Sequence, residues 1–425
     1  MVSIPEPLRI ANFRAFWLAR LATTVAQMAM VIVIGWQVYD IARQTRDVDD
    51  AAFQLGLIGL VQFVPLFALT PISGWVADRL DRRHVARAVI ILEMLCALIL
   101  FWATWSGHVT LPILFGVAAL LGVARAFAGP ALGALAPNLV PRDILPSAIA
   151  LSSMGWQAGA IVGPAIGGLL YDVVPHYSYG FSAALFGFSA ICLFLIGPVP
   201  RPAIEPGKPI ARMVEGLRYV RRNRLVLGAI TLDLFAVLLG GVTAMLPLYA
   251  RDILEVGAQG LGPLRAAPAV GATVTAIVFS MRPLKSDVGV KMLGAVVVFG
   301  AATAVFGIST SFGLSLAMLT VLGAADMFSV YVRQSLIQIH TPDQMRGRVS
   351  AVSTLAISAS NELGETRSGF LAALIGPVVA TVAGGVAAIA VTLLWSGLFP
   401  ELRRARSFEL PKDMPDEPDA IPGGV

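Results

Sequence analysis

The residues of this chain that could do chemistry are ionisable side chains set inside long apolar runs. Such groups are costly at membrane depth and face a bundle interior or a wet cavity. Asp233 follows Thr231 and precedes Leu-Phe-Ala-Val-Leu-Leu-Gly-Gly, where a carboxylate could take up and release a proton. Its nearness to Arg222 and Arg224 equally admits a salt bridge at the end of the run. Glu362 and Glu365 sit in Ser358-Ala-Ser-Asn-Glu-Leu-Gly-Glu-Thr-Arg-Ser-Gly, on one helical face at i, i+3, with Arg367 close behind. Charge that dense in one apolar run predicts a water-filled lumen. Glu93 has apolar neighbours on both sides and needs a partner or a proton, and Arg125 is the deepest-looking cation. For these two, an ion pair between helices is the alternative to proton exchange.

Other side chains suit a binding cavity. Arg20 can line or gate one, or snorkel to the interface from the first turns of its run. Asp326 and Arg333 lie seven residues apart, two turns along one helical face, and can meet a cavity or pair with neighbouring helices. Gln27, Gln37, Gln62, Trp156 and Gln157 lie at plausible pocket depth and suit an amphipathic organic molecule, although tryptophan at a span end also serves as an interface anchor. Gly159, Gly163, Gly167 and Gly168 let helices approach closely, and Pro164 can bend the helix that carries them.

These side chains need membrane helices to hold them. The 425 residues are 57% hydrophobic and 13% charged, against roughly 25% charged in soluble domains, and the mean hydropathy is +0.78. Twelve apolar spans are predicted near 15–39, 53–76, 85–105, 111–136, 147–171, 180–198, 225–249, 259–281, 289–308, 312–337, 348–374 and 377–398. Inside lipid, runs of this length are helices. One set of connections carries Arg79, Arg82, Arg83, Arg87, Arg142, Arg282, Lys285, Lys291, Arg346 and Arg348, with Arg9 and Arg14 before and Arg403, Arg404 and Arg406 after. The other set holds only Arg43, Arg46 and Arg251. The positive-inside rule then places both termini in the cytoplasm, which agrees with an even span count. The net charge of +5 lies at span ends and does not predict nucleic-acid binding. Cys96 and Cys192 are far apart inside apolar runs, so neither a disulfide framework nor a metal site is expected.

The predicted organisation is an N-terminal six-helix half over 1–198, a cytoplasmic linker over 199–224, a C-terminal half over 225–400 and a disordered tail over 401–425. Within the linker, Ile210, Met213, Val214, Leu217 and Val220 repeat at helical spacing, which predicts an amphipathic helix on the cytoplasmic leaflet. A shift of 201 residues sets Gly163 on Gly364 and Gly168 on Gly369. That weak repeat fits two related halves with a site at mid-membrane between them.

The stretch Gly74-Trp-Val-Ala-Asp-Arg-Leu-Asp-Arg-Arg-His84 reads as a charged turn at a membrane face. It resembles the Gly-x-x-x-Asp-Arg-x-Gly-Arg-Arg loop of the major facilitator superfamily. Gly74, Asp78, Arg79, Arg82 and Arg83 match, and Asp81 replaces the usual second glycine. The resemblance implies a loop that stabilises one conformation through contacts between halves. Arg125-Ala-Phe-Ala-Gly129 is similar to an element whose arginine is associated with proton coupling, and Gly159 to Gly168 is similar to one found in antiporters. Phe13-Arg-Ala-Phe-Trp-Leu-Ala-Arg20, Val140-Pro-Arg-Asp-Ile-Leu-Pro, Arg346-Gly-Arg-Val and Ser360-Asn-Glu-Leu-Gly-Glu365 resemble the enterobactin-exporter-like branch of efflux proteins.

What the resemblance implies is an all-α major facilitator fold with two pseudo-symmetric halves, in the bacterial inner membrane, working by alternating access. The expected activity is proton antiport that exports a small amphipathic organic molecule such as a siderophore or drug. Import or facilitated passage of a nutrient on the same fold is the alternative. A non-transporting sensor or assembly protein is a further alternative; it would need a sizeable soluble domain, for which only the tail after Pro400 is available. There is no G-x-x-x-x-G-K-[ST] nucleotide loop and no nucleophile–base arrangement, so no enzyme, cofactor or metal is expected. The expected partners are the substrate, protons and the bilayer, and a monomer is expected.

Overall fold

The computed structural model describes residues 5–135, 138–141, 144–198, 209–282, 284 and 286–408. Arg142, Lys285, residues 199–208 of the linker and the tail beyond Phe408 lie outside them, as do the side chains of Gly74 and Asp78. Among the described residues every regular element is helical. The membrane helices are α1 (Ala11–Arg43), α2 (Val48–Arg79), α3 (Arg82–Trp105), α4 (Leu111–Leu135), α5 (Leu145–Val173) and α6 (Pro175–Phe194) in the first half. The second half holds α7 (Arg224–Gly240), α8 (Gly257–Met281), α9 (Val288–Ile308), α10 (Phe312–Ile339), α11 (Asp343–Ile375) and α12 (Pro377–Leu398).

Among the described residues, eleven spans are long and apolar enough to cross a membrane, counting α7 with its continuation to Ile253. The twelfth, α11, has 33 residues but carries the charges singled out in the sequence. Alternation of direction puts α1 and α12 at one face, here the terminal face, and the α1–α2 and α7–α8 connections at the far face.

Local chemistry sets the helix ends. The Asp47 carboxylate accepts the Asp50 N–H at the start of α2, and Asn223 does the same for Val226 at the start of α7. Gly376, at φ 81°, supplies the left-handed turn between α11 and α12. The Gly74–His84 stretch departs from the expected turn. Helix α2 continues to Arg79, and Leu80 and Asp81 alone form the connection. Asp81 is the N-cap of α3: its carboxylate accepts the Arg83 N–H at 3.0 Å and pairs with the guanidinium at 2.7 Å. The aspartate that breaks the superfamily pattern is therefore a helix cap. Arg83 and Arg87 in turn donate to the carbonyls of Ile196 and Leu193 at the end of α6.

Arg83 holds the Asp81 carboxyl at about 2, below its ordinary 3.8. A depressed carboxylate stabilises the fold above its ordinary value and loses that contribution as pH falls through the folded one. Asp81→Ala is expected to cost about 0.5–2 kcal/mol. Melting curves should show the difference at neutral pH and lose it as the buffer approaches pH 2.

The halves meet through two helix pairs, α2 with α11 and α5 with α8. Small residues allow it. A Cβ added at Gly56 would lie 2.8 Å from the Thr366 carbonyl oxygen, and one at Gly168 would lie 2.8 Å from that of Ala258. Within each half the same logic recurs: Gly159, Gly163 and Gly167 lie on α1, and Gly364 lies on α7. The glycines paired by the 201-residue shift thus occupy equivalent places, Gly163 and Gly364 within a half, Gly168 and Gly369 between halves. Pro164 sits inside α5, where its carbonyl approaches Gly262 of α8.

Two further departures concern the seventh span and the tail. The span breaks at Gly240–Gly241 and resumes as short 3-10, α and π turns to Ile253. The tail is ordered at its start: Pro400–Arg404 forms a helix with Leu402 buried, and the Gly289 N–H donates to the Ala405 carbonyl. Burying Leu402 beneath α9 gives these residues the apolar anchor that the sequence pattern hides. In the linker, helix Pro209–Arg222 docks on α11, with Glu215 paired to Arg348 at 2.6 Å and Tyr219 donating to the His340 carbonyl.

Candidate functional site

The polar residues of the spans gather into four clusters. The central one joins the halves. Arg125 of α4 places Nη1 at 2.6 Å from Glu362 Oε1 of α11 and 3.2 Å from Gln62 Oε1 of α2. Its position depends on small residues. A Cβ at Gly59 would lie 3.0 Å from the Glu362 carbonyl oxygen, and one at Gly122 would lie 3.1 Å from Gln62 Cα. Helix α2 is therefore closely sandwiched between α4 and α11, which brings Arg125 to Glu362. Glu362 is 4% exposed, whereas the Arg125 side chain is 44% exposed, so the guanidinium is the partner that opens to solvent.

One turn along α11, Glu365 accepts the Thr243 hydroxyl at 3.0 Å and faces Arg265 of α8 at 3.9 Å. The adjacent Arg367 does not enter a lumen. Its guanidinium donates to the carbonyls of Leu238 and Leu239, while the Ser368 hydroxyl donates to that of Gly241 at 2.7 Å. These carbonyls lost their helical partners at the break in the seventh span, and α11 satisfies them from outside.

The second cluster lies in the first half. Glu93 of α3 is 1% exposed and accepts the Gln27 amide at 2.6 Å through Oε1, while Oε2 has no hydrogen-bond partner among the described residues. Gln37 was expected at the cavity but is locked in the packed core: it donates to Thr104 and accepts the Tyr179 hydroxyl at 2.8 Å. Its amide is engaged by buried hydroxyls.

The third cluster lies within the second half. Asp233 of α7 pairs closely with Arg333 of α10, which is 2% exposed. The arginines near the end of the span do not claim it, and Arg224 instead binds Glu401. Asp233, Asp326 and Ser329 line a small pocket with Val296 and Phe299, whose free volume of about 10 Å³ is at the lower limit for one water. Asp326 and Arg333, expected at the substrate cavity, lie within the second half, where α7, α9 and α10 supply the residues around them.

The fourth cluster, at the far face, was not foreseen. Asp40 of α1 pairs with Arg251 at 2.5 Å, Arg43 lies 3.5 Å from Asp252, and the Tyr39 hydroxyl donates to Asp252. Read singly, Arg43 and Arg251 are ordinary span-end charges. The one available signal was two acid–base pairs of opposite order, Asp40 with Arg43 and Arg251 with Asp252, in corresponding first spans of the two halves.

The remaining candidates lie on α1 and α5. Gln157 of α5 donates to Thr273 of α8 at 3.5 Å, and Trp156 is 46% exposed. Arg20 is half-buried on α1.

The family described as transmembrane secretion effector matches residues 3–418. An enterobactin exporter of Citrobacter koseri is 26% identical over 409 residues, 95% of each chain. That of Shigella boydii is 26% identical over 399 residues, 93% of each chain. Among solved structures, a bacterial homologue of the human lysosomal transporter Spinster, inward-facing and occupied, gives a TM-score of 0.72 at 16% identity, over 94% of this chain and 99% of that one. A D-xylose–proton symporter gives 0.70 at 13% identity, over 93% and 98%. At such identities the solved structures speak for the fold alone.

Proposed function

Because the chain belongs to the transmembrane secretion effector family of major facilitator transporters, we propose that it exports a small amphipathic organic molecule across the bacterial inner membrane, driven by protons moving the other way. The observation that carries this reading is the Arg125–Glu362 pair, a buried carboxylate and a solvent-reached guanidinium supplied by opposite halves.

The described contacts between halves concentrate toward the far face, at Gly56–Gly369, Gly168–Gly262 and the Asp40–Arg251 pair. With the basic terminal face taken as cytoplasmic, this is the inward-facing state of a monomer. A proton on Glu362 removes the charge that holds Arg125, loosening α11 from α4 at the contact the two halves share. Loss of the proton remakes the pair. When substrate loading favours the paired state and a proton favours the unpaired one, the two are carried in alternation, which is the requirement for exchange. Substrates move without chemical change, so the family's transport role needs no catalytic group.

The test is efflux of an amphipathic dye from inverted vesicles of cells producing the protein. An imposed pH gradient is expected to drive the wild type, while Glu362→Gln loses the gradient dependence and keeps dye exchange at equal pH. Gradient-driven movement of undiminished rate in Glu362→Gln would sink the reading.

A further inference from the structure

Arg20 stands apart from the other arginines set within the spans. Arg125, Arg265, Arg333 and Arg367 each meet a carboxylate or a set of carbonyls. Arg20 engages only through its backbone, whose carbonyl accepts the Thr24 hydroxyl at 2.8 Å. Among the described residues its guanidinium has no ionic or hydrogen-bond partner. Nine residues in from Ala11, it lies about 14 Å along the helix from the terminal face. A half-buried guanidinium left unpaired at that depth is costly unless an anion completes it.

The direction of Arg20 follows from its neighbours on α1. Thr23 and Ala26 face α6, through the Ser189 hydroxyl at 2.8 Å and the Ser182 hydroxyl. Thr24 and Val25 face the glycines of α5. Arg20 and Gln27 fall on the remaining face, where Gln27 reaches Glu93 of α3.

The register of α1 on α5 says what stands beside it. The Trp17 indole N–H donates to the Leu151 carbonyl at 2.9 Å, Gly155 lies against the same indole, and Gly159 lies against Thr24. Arg20, between Trp17 and Thr24, is therefore level with residues 155–159. Trp156 falls in that stretch, off the α1 contact line, and is 46% exposed. One place on, Gln157 turns to α8. A lone cation and a part-exposed indole thus stand at the same level on neighbouring helices.

We propose that Arg20 and Trp156 form a subsite for an aromatic organic anion, the carboxylate or phenolate held by the guanidinium and the ring laid on the indole. The fork of guanidinium donors matches a carboxylate in bidentate fashion, and stacking on tryptophan selects a flat apolar body. The assignment rests on the exporter reading for the role of the ligand as cargo. It separates charge recognition at Arg20 from proton exchange at Glu362, so the two sites fail independently.

The test is calorimetric binding to the full chain in lipid nanodiscs, with 1-naphthoate, 1-naphthylmethylammonium and cyclohexanecarboxylate as probes. Naphthoate is expected to bind at least tenfold tighter than either of the others. Arg20→Gln should weaken it more than tenfold, Arg20→Lys by less, and Trp156→Leu several-fold while leaving cyclohexanecarboxylate unchanged. Equal affinity for the naphthyl cation and anion, or an Arg20→Gln protein that binds naphthoate like the wild type, overturns the subsite. So does binding that is saturable but indifferent to both residues. Should Arg20→Gln not fold, Arg20→Lys and Trp156→Leu carry the comparison. Failure of gradient-driven efflux bears on the exporter reading and leaves this binding result standing.

Discussion

Arg333→Gln is expected to destabilise the protein by about 3–5 kcal/mol, because it leaves Asp233 buried without its counter-charge. Arg333 and Asp233 are 2% and 7% exposed, and the pocket beside them has free volume for at most about one water. Adding Asp233→Asn should restore part of the loss, since neither charge then remains unpaired. Thermal denaturation followed by size-exclusion chromatography measures both. A single variant that melts like the wild type would show that the pair contributes nothing. The same experiment separates structure from transport. If Asp233 were the exchanging carboxylate, Asp233→Asn alone would abolish gradient dependence while sparing stability. The closed cluster supports the opposite order of effects, with Glu362 exchanging and Asp233 holding the second half together.

That contrast shows what the sequence could reveal. An apolar run with one charge is legible as a span with a buried group, so the twelve helices and the unusual eleventh one were visible beforehand. The partner of each charge was not. Arg125 and Glu362, or Asp233 and Arg333, meet only after helices cross, and no spacing along the chain encodes the crossing. Gln37 looked like Gln62, and only the fold gives one a tyrosine hydroxyl and the other an arginine. Charge also misled at Gly74–His84, where the helix runs on to Arg79, and Leu80 and Asp81 alone connect it to the next. The break in the seventh span was hidden for a related reason: Gly240–Gly241 looks like any small-residue pair until Arg367 is seen capping the freed carbonyls.

Removing the far-face latch is expected to open that side. Asp40 and Arg251 belong to opposite halves, as do Arg43 and Asp252. Their side chains are a quarter to a third exposed, so each pair is worth little alone. Together with the Tyr39 hydroxyl they form a network that must break before the far face can open. Asp40→Asn combined with Arg251→Gln should move the inward–outward balance by about 1–2 kcal/mol, a factor of 5–30. The readout is maleimide labelling of a cysteine placed near Phe53, where the stacked Phe53–Phe370 pair now closes α2 on α11. Labelling from the far side should speed up in the double variant and slow again in Asp40→Arg/Arg251→Asp, which rebuilds the pair in reverse. No change in the double variant would mean the small-residue packing alone keeps that face shut.

The polarity of α11 carries a consequence for how the chain is made. A helix holding Glu362, Glu365 and Arg367 does not partition into lipid by itself. Its charges are neutralised by Arg125 of α4, Arg265 of α8 and the open carbonyls of the seventh span, all synthesised earlier. The eleventh segment thus enters the bilayer only against helices already in place, and biogenesis of the second half waits on assembly of the first.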